Sequence, residues 1–267
     1  MLRVGLIQMR CEKAAIEANL KTVAIHLEEA AARNVDLVGF PEMCLTGYII
    51  ESHQPEAVLD LDGPELRAFL ALTERHAPMV LAGFVERNPA GKPFITQVLA
   101  HRGRLLGAYR KVTIVDEEAD WFAPGEGGVL VATCGGHTFG VAICADIHNE
   151  SVFAACRSQG AEVVLELAAP GLYGAQADRN WQTGYAWWED ECRTWLGRYA
   201  RDHGLWICVA TQAGRTIDED FPGGGYVFAP TGERLFSTGT WEPGAAYLAL
   251  DFETLTVAEL RAGSLGR

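Results

Sequence analysis

Hydrophobic residues follow two different spacings along this chain, and these spacings predict where strands and helices lie. Continuous apolar runs at residues 3–9 and 36–41 predict strands, and residues 12–34 between them carry apolar side chains at helical spacing. A second helix is predicted at 64–76, with a glycine before it and proline at its first position, and it leads into a strand at 79–87. The chain therefore opens as a β-α-β arrangement.

The pattern changes in the middle of the chain, where short turns join neighbouring apolar runs. Arg102-Gly103-Arg104 separates one pair of runs and Gly135-Gly136-His137 separates another, so both pairs predict antiparallel hairpins. A third hairpin is predicted over residues 225–239. The remaining predicted elements are helix 149–159, strand 162–169, helix 187–203, strand 206–213 and strand 246–252.

This order of elements predicts an α/β fold. Two β-α-β halves with added hairpins favour two mixed β-sheets packed face to face with helices outside, which is a four-layer α-β-β-α sandwich. No Ser/Pro-rich linker, charge block or internal repeat separates the halves. Residues 1–267 are therefore predicted to form a single domain.

Composition narrows the class of partner. The chain is 49% hydrophobic and 21% charged over 267 residues, which is typical of a globular protein with a sizeable core. Its formal net charge of -13 disfavours nucleic acid, since an acidic protein repels a polyanion and no basic stripe with interleaved aromatics is present. A small molecule is the expected partner.

The first residues of the chain and its cysteines indicate the cellular compartment. Residues 1–13 have the pattern of a strand rather than of a secretory signal, and no apolar run reaches membrane-spanning length. The seven cysteines are odd in number, scattered and mostly within apolar stretches, as expected for reduced thiols. We therefore expect a cytoplasmic protein that makes no membrane contact, with at least six cysteines serving as packing residues.

Three chemically capable residues stand at the ends of predicted strands. Glu42 lies in DLVGFPEMCLTGY, Lys111 in LLGAYRKVTI and Cys144 in TFGVAICAD. A carboxylate can take the proton of a thiol while an ammonium stabilises an oxyanion, so the three together suffice for acyl transfer through a thioester. Taken singly, Glu42 and Lys111 would more often be surface charges, and Cys144 a small core residue.

The conjunction of these motifs resembles the nitrilase superfamily of carbon-nitrogen hydrolases. FPEMCLTGY, YRKV and GVAICAD match the family's glutamate, lysine and cysteine segments in order, and the three positions are 69 and then 33 residues apart. EADWFAPG resembles the segment that carries a second glutamate, here Glu118, although its acidic neighbours also fit a solvated loop. GAEVVL, ATQAG and FPGGGYVFAPTGE extend the match over nearly the whole chain.

The resemblance implies a mechanism that needs no metal or organic cofactor. Glu42 would be the general base, Cys144 the nucleophile, and Lys111 would hold the oxyanion together with the backbone N–H of Ala145. Glu118 would orient the substrate or Lys111. The implied reaction is hydrolysis of a small linear amide or N-carbamoyl compound with release of ammonia, by a homodimer or larger homo-oligomer.

Other functions remain open within the same fold. The alternatives are a nitrilase acting on a nitrile, a glutamine-hydrolysing protein that feeds ammonia to a separate synthetase, and a non-catalytic relative that serves as a binding or scaffold protein. One departure from the family is that Glu150-Ser151 stands where a Pro-Glu pair often follows the nucleophile. It puts in doubt the local helix start and any subunit or substrate contact made there.

Several other residues could take part in catalysis, loop stabilisation or metal binding. His148 could activate Cys144 as in cysteine proteases, but it is only four residues away and no orienting Asn or Asp follows from the pattern. Asp146 is a plausible acceptor bracing the nucleophile loop. Cys134-Gly-Gly-His137 looks like part of a metal site but lacks a second ligand pair, so it is interpreted as a turn. The absence of a G-x-S-x-G motif disfavours a serine hydrolase.

The substrate pocket is predicted mainly from one aromatic-rich loop. The predicted loop at residues 170–188 is rich in aromatic residues and follows the strand after the nucleophile, where specificity loops are common. Tyr173 and Tyr48 are predicted to wall the pocket, and Arg179 to bind a substrate carboxylate. The alternative is that these aromatics pack at a sheet edge or a subunit interface.

Overall fold

The computed structural model of the chain describes residues 1–115, 117–172 and 180–261. Its strands are β1 (Leu2–Gln8), β2 (Leu37–Gly39), β3 (Met79–Glu86), β4 (Phe94–His101), β5 (Arg104–Arg110), β6 (Val131–Cys134), β7 (His137–Ile143), β8 (Val163–Ala168), β9 (Trp206–Thr211), β10 (Ala213–Arg215), β11 (Asp220–Pro222), β12 (Gly225–Phe228), β13 (Arg234–Ser237), β14 (Gly244–Asp251) and β15 (Thr256–Glu259). Its α-helices are α1 (Ile16–Ala31), α2 (Pro64–Glu74), α3 (Glu118–Trp121), α4 (Glu150–Ser158) and α5 (Trp181–His203), and short 3₁₀ turns occupy Pro55–Ala57 and Cys144–His148.

Two mixed sheets repeat one pairing scheme. The first sheet has the order β15-β14-β1-β2-β3-β4-β5, and the second has the order β13-β12-β9-β8-β7-β6. In each, three neighbouring strands run parallel (β1-β2-β3 and β7-β8-β9), and antiparallel strands flank them. Helices α1 and α2 connect the first parallel trio, and α4 and α5 connect the second. The carboxyl ends of parallel strands meet at one edge of a sheet, which is where ligand sites form in α/β folds.

The layers follow from how the two faces of each sheet are covered. Val23 and Leu27 of α1 pack with Val38 and Val80 on the outer face of the first sheet. On its inner face, Gly39 lies so close to the second sheet that an added Cβ would be 2.8–2.9 Å from two leucine side chains of β8. Helices α4 and α5 share the core of the second sheet. The predicted four-layer α-β-β-α sandwich is confirmed.

The predicted hairpins and most strand positions agree with the structure, and the differences have local causes. Helix α1 begins at Ile16 rather than near residue 12, because Ala14 has a left-handed φ of 57° and the Asn19 side chain binds the backbone of Glu12. Helix α5 begins at Trp181 rather than at 187, because the Asn180 side chain accepts a hydrogen bond from the backbone N–H of residue 183. These polar contacts leave no trace in the hydrophobic spacing. A prediction from spacing alone therefore placed both helix starts wrongly.

Four small elements were not predicted. Strands β10 and β11 form a separate two-stranded sheet, β15 pairs at the edge of the first sheet beside β14, and α3 is a single turn. Each is short and is stabilised by its neighbours rather than by a periodic pattern. The Gly135-Gly136 turn of the β6–β7 hairpin is as predicted, with φ values of 58° and 83°. Among the described residues, no helix is both long and apolar enough to cross a membrane.

Candidate active site

Glu42 is held in a buried loop directly after β2. The backbone of this loop crosses Gly83 of β3 so closely that a Cβ there would be 2.6 Å from the Met43 nitrogen, so only glycine fits. Phe40 and Leu45, at the two sides of the loop, hydrogen bond to the β3 backbone. The Glu42 side chain has no exposed surface, and its Oε2 accepts a hydrogen bond of 3.0 Å from the backbone N–H of Ala169 after β8. The loop therefore aims the carboxylate between the two sheets.

Lys111 follows β5 and makes the central ion pair of the site. Its Nζ lies 3.0 Å from Oε1 of Glu42 and 2.7 and 2.9 Å from the two carboxylate oxygens of Glu118. The lysine side chain has no exposed surface. Its backbone is fixed on both sides, since its N–H donates to Ile95 and its carbonyl accepts from Gly125. One ammonium is thus held between two buried carboxyl groups.

Cys144 stands where β7 turns into the 3₁₀ turn Cys144–His148. Its φ is 45°, a left-handed conformation that is uncommon for a residue with a side chain. Asp146 braces the turn: its Oδ2 accepts from the backbone N–H of Ile143 and the hydroxyl of Tyr109, and its Oδ1 accepts from the backbone N–H of Thr113. Asp146 therefore connects the cysteine turn to the segment that follows Lys111, as its predicted bracing role requires.

Burial dominates the electrostatics of the cluster. Loss of solvent, with a smaller contribution from Glu118, raises the pKa of Glu42 to about 7 although Lys111 opposes the shift. Burial and the neighbouring Glu42 raise the pKa of the Cys144 thiol well above its usual range. Burial disfavours the charge of Lys111, but the two carboxylates outweigh it and raise the pKa of the ammonium. At neutral pH the cysteine is therefore a thiol that needs a base, and Glu42 is a carboxyl poised to accept its proton.

Glu118 and Tyr48 complete the cluster. Glu118 opens α3 and is 5% exposed, whereas Glu117 and Asp120 beside it are exposed, so Glu118 is the inward-facing residue of these three. The Tyr48 hydroxyl donates a hydrogen bond to Glu118 Oε1. The Tyr48 ring lies 6.4 Å from the ring centre of Phe122. Glu118 therefore contacts Lys111 on one side and Tyr48 on the other.

The remaining predicted site residues lie in different parts of the structure or outside the described residues. Ala145 follows the cysteine in the 3₁₀ turn and is 7% exposed. Tyr173 and Arg179 lie outside the described residues. The His148 ring stands edge-on to Trp195 at 5.4 Å, and its Nε2 is 3.7 Å from a carboxylate oxygen of Glu191, so it faces α5. These contacts disfavour the cysteine–histidine alternative.

Glu150, the first residue of the Glu150-Ser151 departure, begins α4. Its carboxylate lies 3.3 Å from the guanidinium of Arg198 and 3.2 Å from Nε2 of His203, both in α5. The residue thus ties α4 to α5 at the protein surface and opens the helix close to its predicted start.

Two features of the site were missed from the sequence. The backbone N–H of Ala169 contacts Glu42, a pairing that only the packing of the two sheets reveals. Glu166, fully buried in β8, is an acidic residue inside the apolar strand VVLELA, and this break in the pattern was the available signal. Within the described ranges, no group of three or more His, Cys, Asp or Glu side chains is arranged to hold a metal ion.

The role of Glu118 can be tested by a change of charge alone. Glu118→Gln removes one of the two carboxylates that orient Lys111, and we expect kcat/KM to fall roughly 10²-fold through misplacement of the ammonium. Glu117→Gln, at the exposed neighbouring position, is the matched control and should keep wild-type kinetics. Steady-state hydrolysis rates of the two variants check this, and equal activity would remove Glu118 from the site.

The whole chain is similar to known proteins in sequence and in fold. The carbon-nitrogen hydrolase family model matches residues 3–259. The chain is 26% identical over 255 residues to a glutamine-dependent NAD(+) synthetase of Acinetobacter baylyi, in an alignment that covers 94% of this chain and 44% of that protein. It is 27% identical over 187 residues to a formamidase of Allorhizobium ampelinum, covering 67% of this chain and 54% of the formamidase. The chain thus spans about half the length of these relatives.

Among solved structures, a variant of the Nesterenkonia AN1 amidase from the nitrilase superfamily has the same fold. The TM-score is 0.78 at 22% sequence identity, and the alignment covers 97% of this chain and 90% of the amidase. This likeness independently supports the arrangement of two mixed sheets between helices.

Proposed function

This chain belongs to the carbon-nitrogen hydrolase family, and on that premise we propose that it is an amidase-type hydrolase. It cleaves the C–N bond of a small linear amide or N-carbamoyl compound through a thioester on Cys144 and releases ammonia. The observation that carries the proposal is the buried ammonium of Lys111 held between Glu42 and Glu118 next to the cysteine. Burying a lysine between two carboxylates costs desolvation free energy, and a catalytic role for the ammonium would explain why the charge is kept there.

The first half of the reaction forms the thioester. Glu42 takes the thiol proton as Cys144 Sγ attacks the substrate carbonyl carbon, and the resulting oxyanion is bound by Lys111 and the backbone N–H of Ala145. When the tetrahedral intermediate collapses, the C–N bond breaks and Glu42 returns the proton to the leaving nitrogen. Ammonia departs and the acyl group remains on sulfur.

The second half releases the acid. Glu42, again a carboxylate, takes a proton from a water molecule as its oxygen attacks the thioester carbonyl. Lys111 and Ala145 bind the second oxyanion, the C–S bond breaks, and the proton on Glu42 returns to the sulfur of Cys144. Glu118 and Tyr48 keep the ammonium in place through both steps. No atom outside the chain, the substrate and water is required.

The substrate class is supported by the relatives. A formamidase and an amidase are among the proteins similar to this chain, whereas no feature of the described site favours a nitrile. A second candidate is hydrolysis of the side-chain amide of glutamine. It is favoured by the alignment of 94% of this chain with a glutamine-dependent synthetase, and it would deliver ammonia to a partner protein.

Ammonia release from a substrate panel tests the proposal. The panel contains formamide, longer aliphatic amides, L-glutamine, N-carbamoyl amino acids, N-carbamoyl amines and nitriles. We expect release from the amides or carbamoyl compounds, which would name the substrate class. Release from glutamine alone would favour the second candidate, and release from nitriles alone would favour a nitrilase. No release from any compound would favour a non-catalytic relative.

The pH dependence of kcat/KM follows from the pKa of Glu42. Only the carboxylate form accepts the thiol proton, and its pKa is raised to about 7. Activity should therefore rise about tenfold per pH unit on the acidic side of that value and level off above it. If Glu42 had an ordinary pKa, kcat/KM would already be independent of pH near pH 5. That result would contradict the assignment of Glu42 as the general base.

A second carboxyl group with a raised pKa, Glu219, provides the control. Burial raises the pKa of Glu219 to about 7, against the opposing effect of Lys13. Glu219→Gln should therefore leave the acidic limb of the profile in place. Circular dichroism across the pH range separates loss of activity from loss of fold.

We also propose a cytoplasmic homo-oligomer formed by single-domain subunits of residues 1–267, with no nucleic acid partner. All seven cysteines are free thiols, which supports a reducing compartment. The formal charge of -13 supports the exclusion of nucleic acid. Light scattering after size exclusion measures the subunit number, and a monomer at micromolar concentration would overturn the oligomer.

A further inference from the structure

A buried carboxyl group behind the nucleophile takes no part in the reaction proposed above. Glu166 lies in the middle of β8 and has no exposed surface. Neither of its carboxyl oxygens has a hydrogen-bond partner among the described residues. Its partners in the strand register are Ala142 of β7 and Val209 of β9, so it sits at the centre of the second sheet. A buried carboxyl without a partner is unfavourable, and apolar residues fill the rest of the strand.

The direction of this side chain follows from its strand. Leu165 and Leu167, on either side of Glu166, lie against Gly39 of the first sheet. Because successive residues of a strand point to opposite faces, Glu166 points away from the first sheet and toward α4 and α5. Burial and, after it, the proximity of Glu166 raise the pKa of Cys192 in α5, which is consistent with this direction.

The surroundings of Glu166 oppose a negative charge. Burial and the nearby carboxyl groups of Asp146 and Glu42 raise the pKa of Glu166 well above its usual range, against a smaller effect of Lys111. The lysine ammonium already binds Glu42 and Glu118. These surroundings favour the neutral carboxylic acid, which has one O–H donor and a carbonyl acceptor.

The strand register places this acid close to the nucleophile. Ala142, the partner of Glu166 in β7, lies two residues before Cys144, and the Cys144 backbone has a minor effect that lowers the pKa of Glu166. Cys144 has a φ of 45°, and such a conformation persists only where its surroundings support it. Asp146 braces the turn through its own side chain. Glu166 lies behind the first residue of the same turn.

We propose that Glu166 is a positioning residue for the nucleophile, whose carboxyl group supports the backbone of Cys144 from the helix side of the second sheet. This support keeps Sγ directed at Glu42 and keeps the N–H of Ala145 directed at the substrate oxygen. The inference rests on the proposed function, because it assigns Glu166 to the same thioester chemistry.

The test compares two substitutions at residue 166. Glu166→Gln keeps a neutral group that donates and accepts hydrogen bonds, whereas Glu166→Leu has similar volume and neither ability. We expect the leucine variant to lower kcat at least about tenfold with little change in KM, and the glutamine variant to stay within about threefold of wild type. The melting temperature of the leucine variant should be unchanged or higher, since it removes a buried unpaired polar group.

Alkylation of Cys144 by iodoacetamide is a second readout that needs no turnover. The rate at the Cys144 peptide, followed by mass spectrometry, should fall in the leucine variant and recover in the glutamine variant. Val164→Ala is the control, because residue 164 lies on the same strand and the same face but farther from the turn. It should lower stability without changing kcat or the alkylation rate.

Three results would overturn the positioning role. These are wild-type kcat and alkylation in the leucine variant, equal loss in the leucine and glutamine variants, and failure of both Glu166→Leu and Glu166→Met to fold while the glutamine variant folds. The last would assign Glu166 to stability alone. If the wild-type protein hydrolyses no substrate, the proposed function fails, while the alkylation rates still decide whether Glu166 positions Cys144.

Discussion

Cys144→Ala is expected to lower kcat by roughly 10⁵-fold or more for every substrate of the panel, because no other group can carry the acyl intermediate. The six other cysteines are buried, and in the described site none stands beside Glu42 and Lys111 as Cys144 does. The fold should survive, since alanine replaces a partly exposed side chain and the backbone of the turn is braced by Asp146.

The control for this substitution is Cys134→Ala in β6, which removes a thiol from the far end of the β6–β7 hairpin. It should leave hydrolysis unchanged. Ammonia release measured for both variants, together with their circular dichroism spectra, checks the prediction. Hydrolysis by a folded Cys144→Ala protein above one per cent of the wild-type rate would rule out the cysteine as nucleophile.

Lys111→Met is expected to lower kcat/KM about 10³-fold or more, because it removes the proposed oxyanion donor. Methionine has nearly the same length as lysine, so the site keeps its shape. The variant also leaves Glu42 and Glu118 without their shared cation, which raises the pKa of Glu42 further and depletes the base at neutral pH. Hydrolysis rates over a range of pH measure both effects.

The same substitution changes stability in a pH-dependent way. Removing one partner of a buried ion pair destabilises proteins by about 3–5 kcal/mol. In the variant, the carboxyl of Glu42 has a folded-state pKa far above its unfolded value, so the folded state loses stability as the pH rises through that folded-state pKa. The loss in melting temperature should therefore be larger at pH 8 than at pH 5. Lys92→Met, at an exposed position, should show neither effect.

The catalytic candidates could be predicted from the sequence because each follows an apolar strand, which is a local pattern. Glu42, Lys111 and Cys144 stand after β2, β5 and β7, and the structure brings all three together at one edge of the two sheets. The two sheets also follow from hydrophobic spacing and turn residues. What spacing cannot show is the order of the strands within a sheet, because pairing joins residues far apart in sequence.

The remaining parts of the site depend on tertiary contacts between distant segments. Asp146 binds Tyr109 and Thr113, more than thirty residues away, and no local pattern specifies those partners. The contact of Ala169 with Glu42 joins the two sheets and appears only when they pack. His148 shows the converse: it is near Cys144 in sequence, yet the turn directs it to Trp195.

The central claim is that hydrolysis passes through a thioester on Cys144. The most direct measurement is rapid acid quenching during turnover of an amide, followed by peptide mass spectrometry of the protein. The account predicts a transient acyl group on the peptide that contains Cys144, appearing before ammonia release becomes linear. An acyl group on any other residue, with Cys144 unmodified at every quench time, would contradict it.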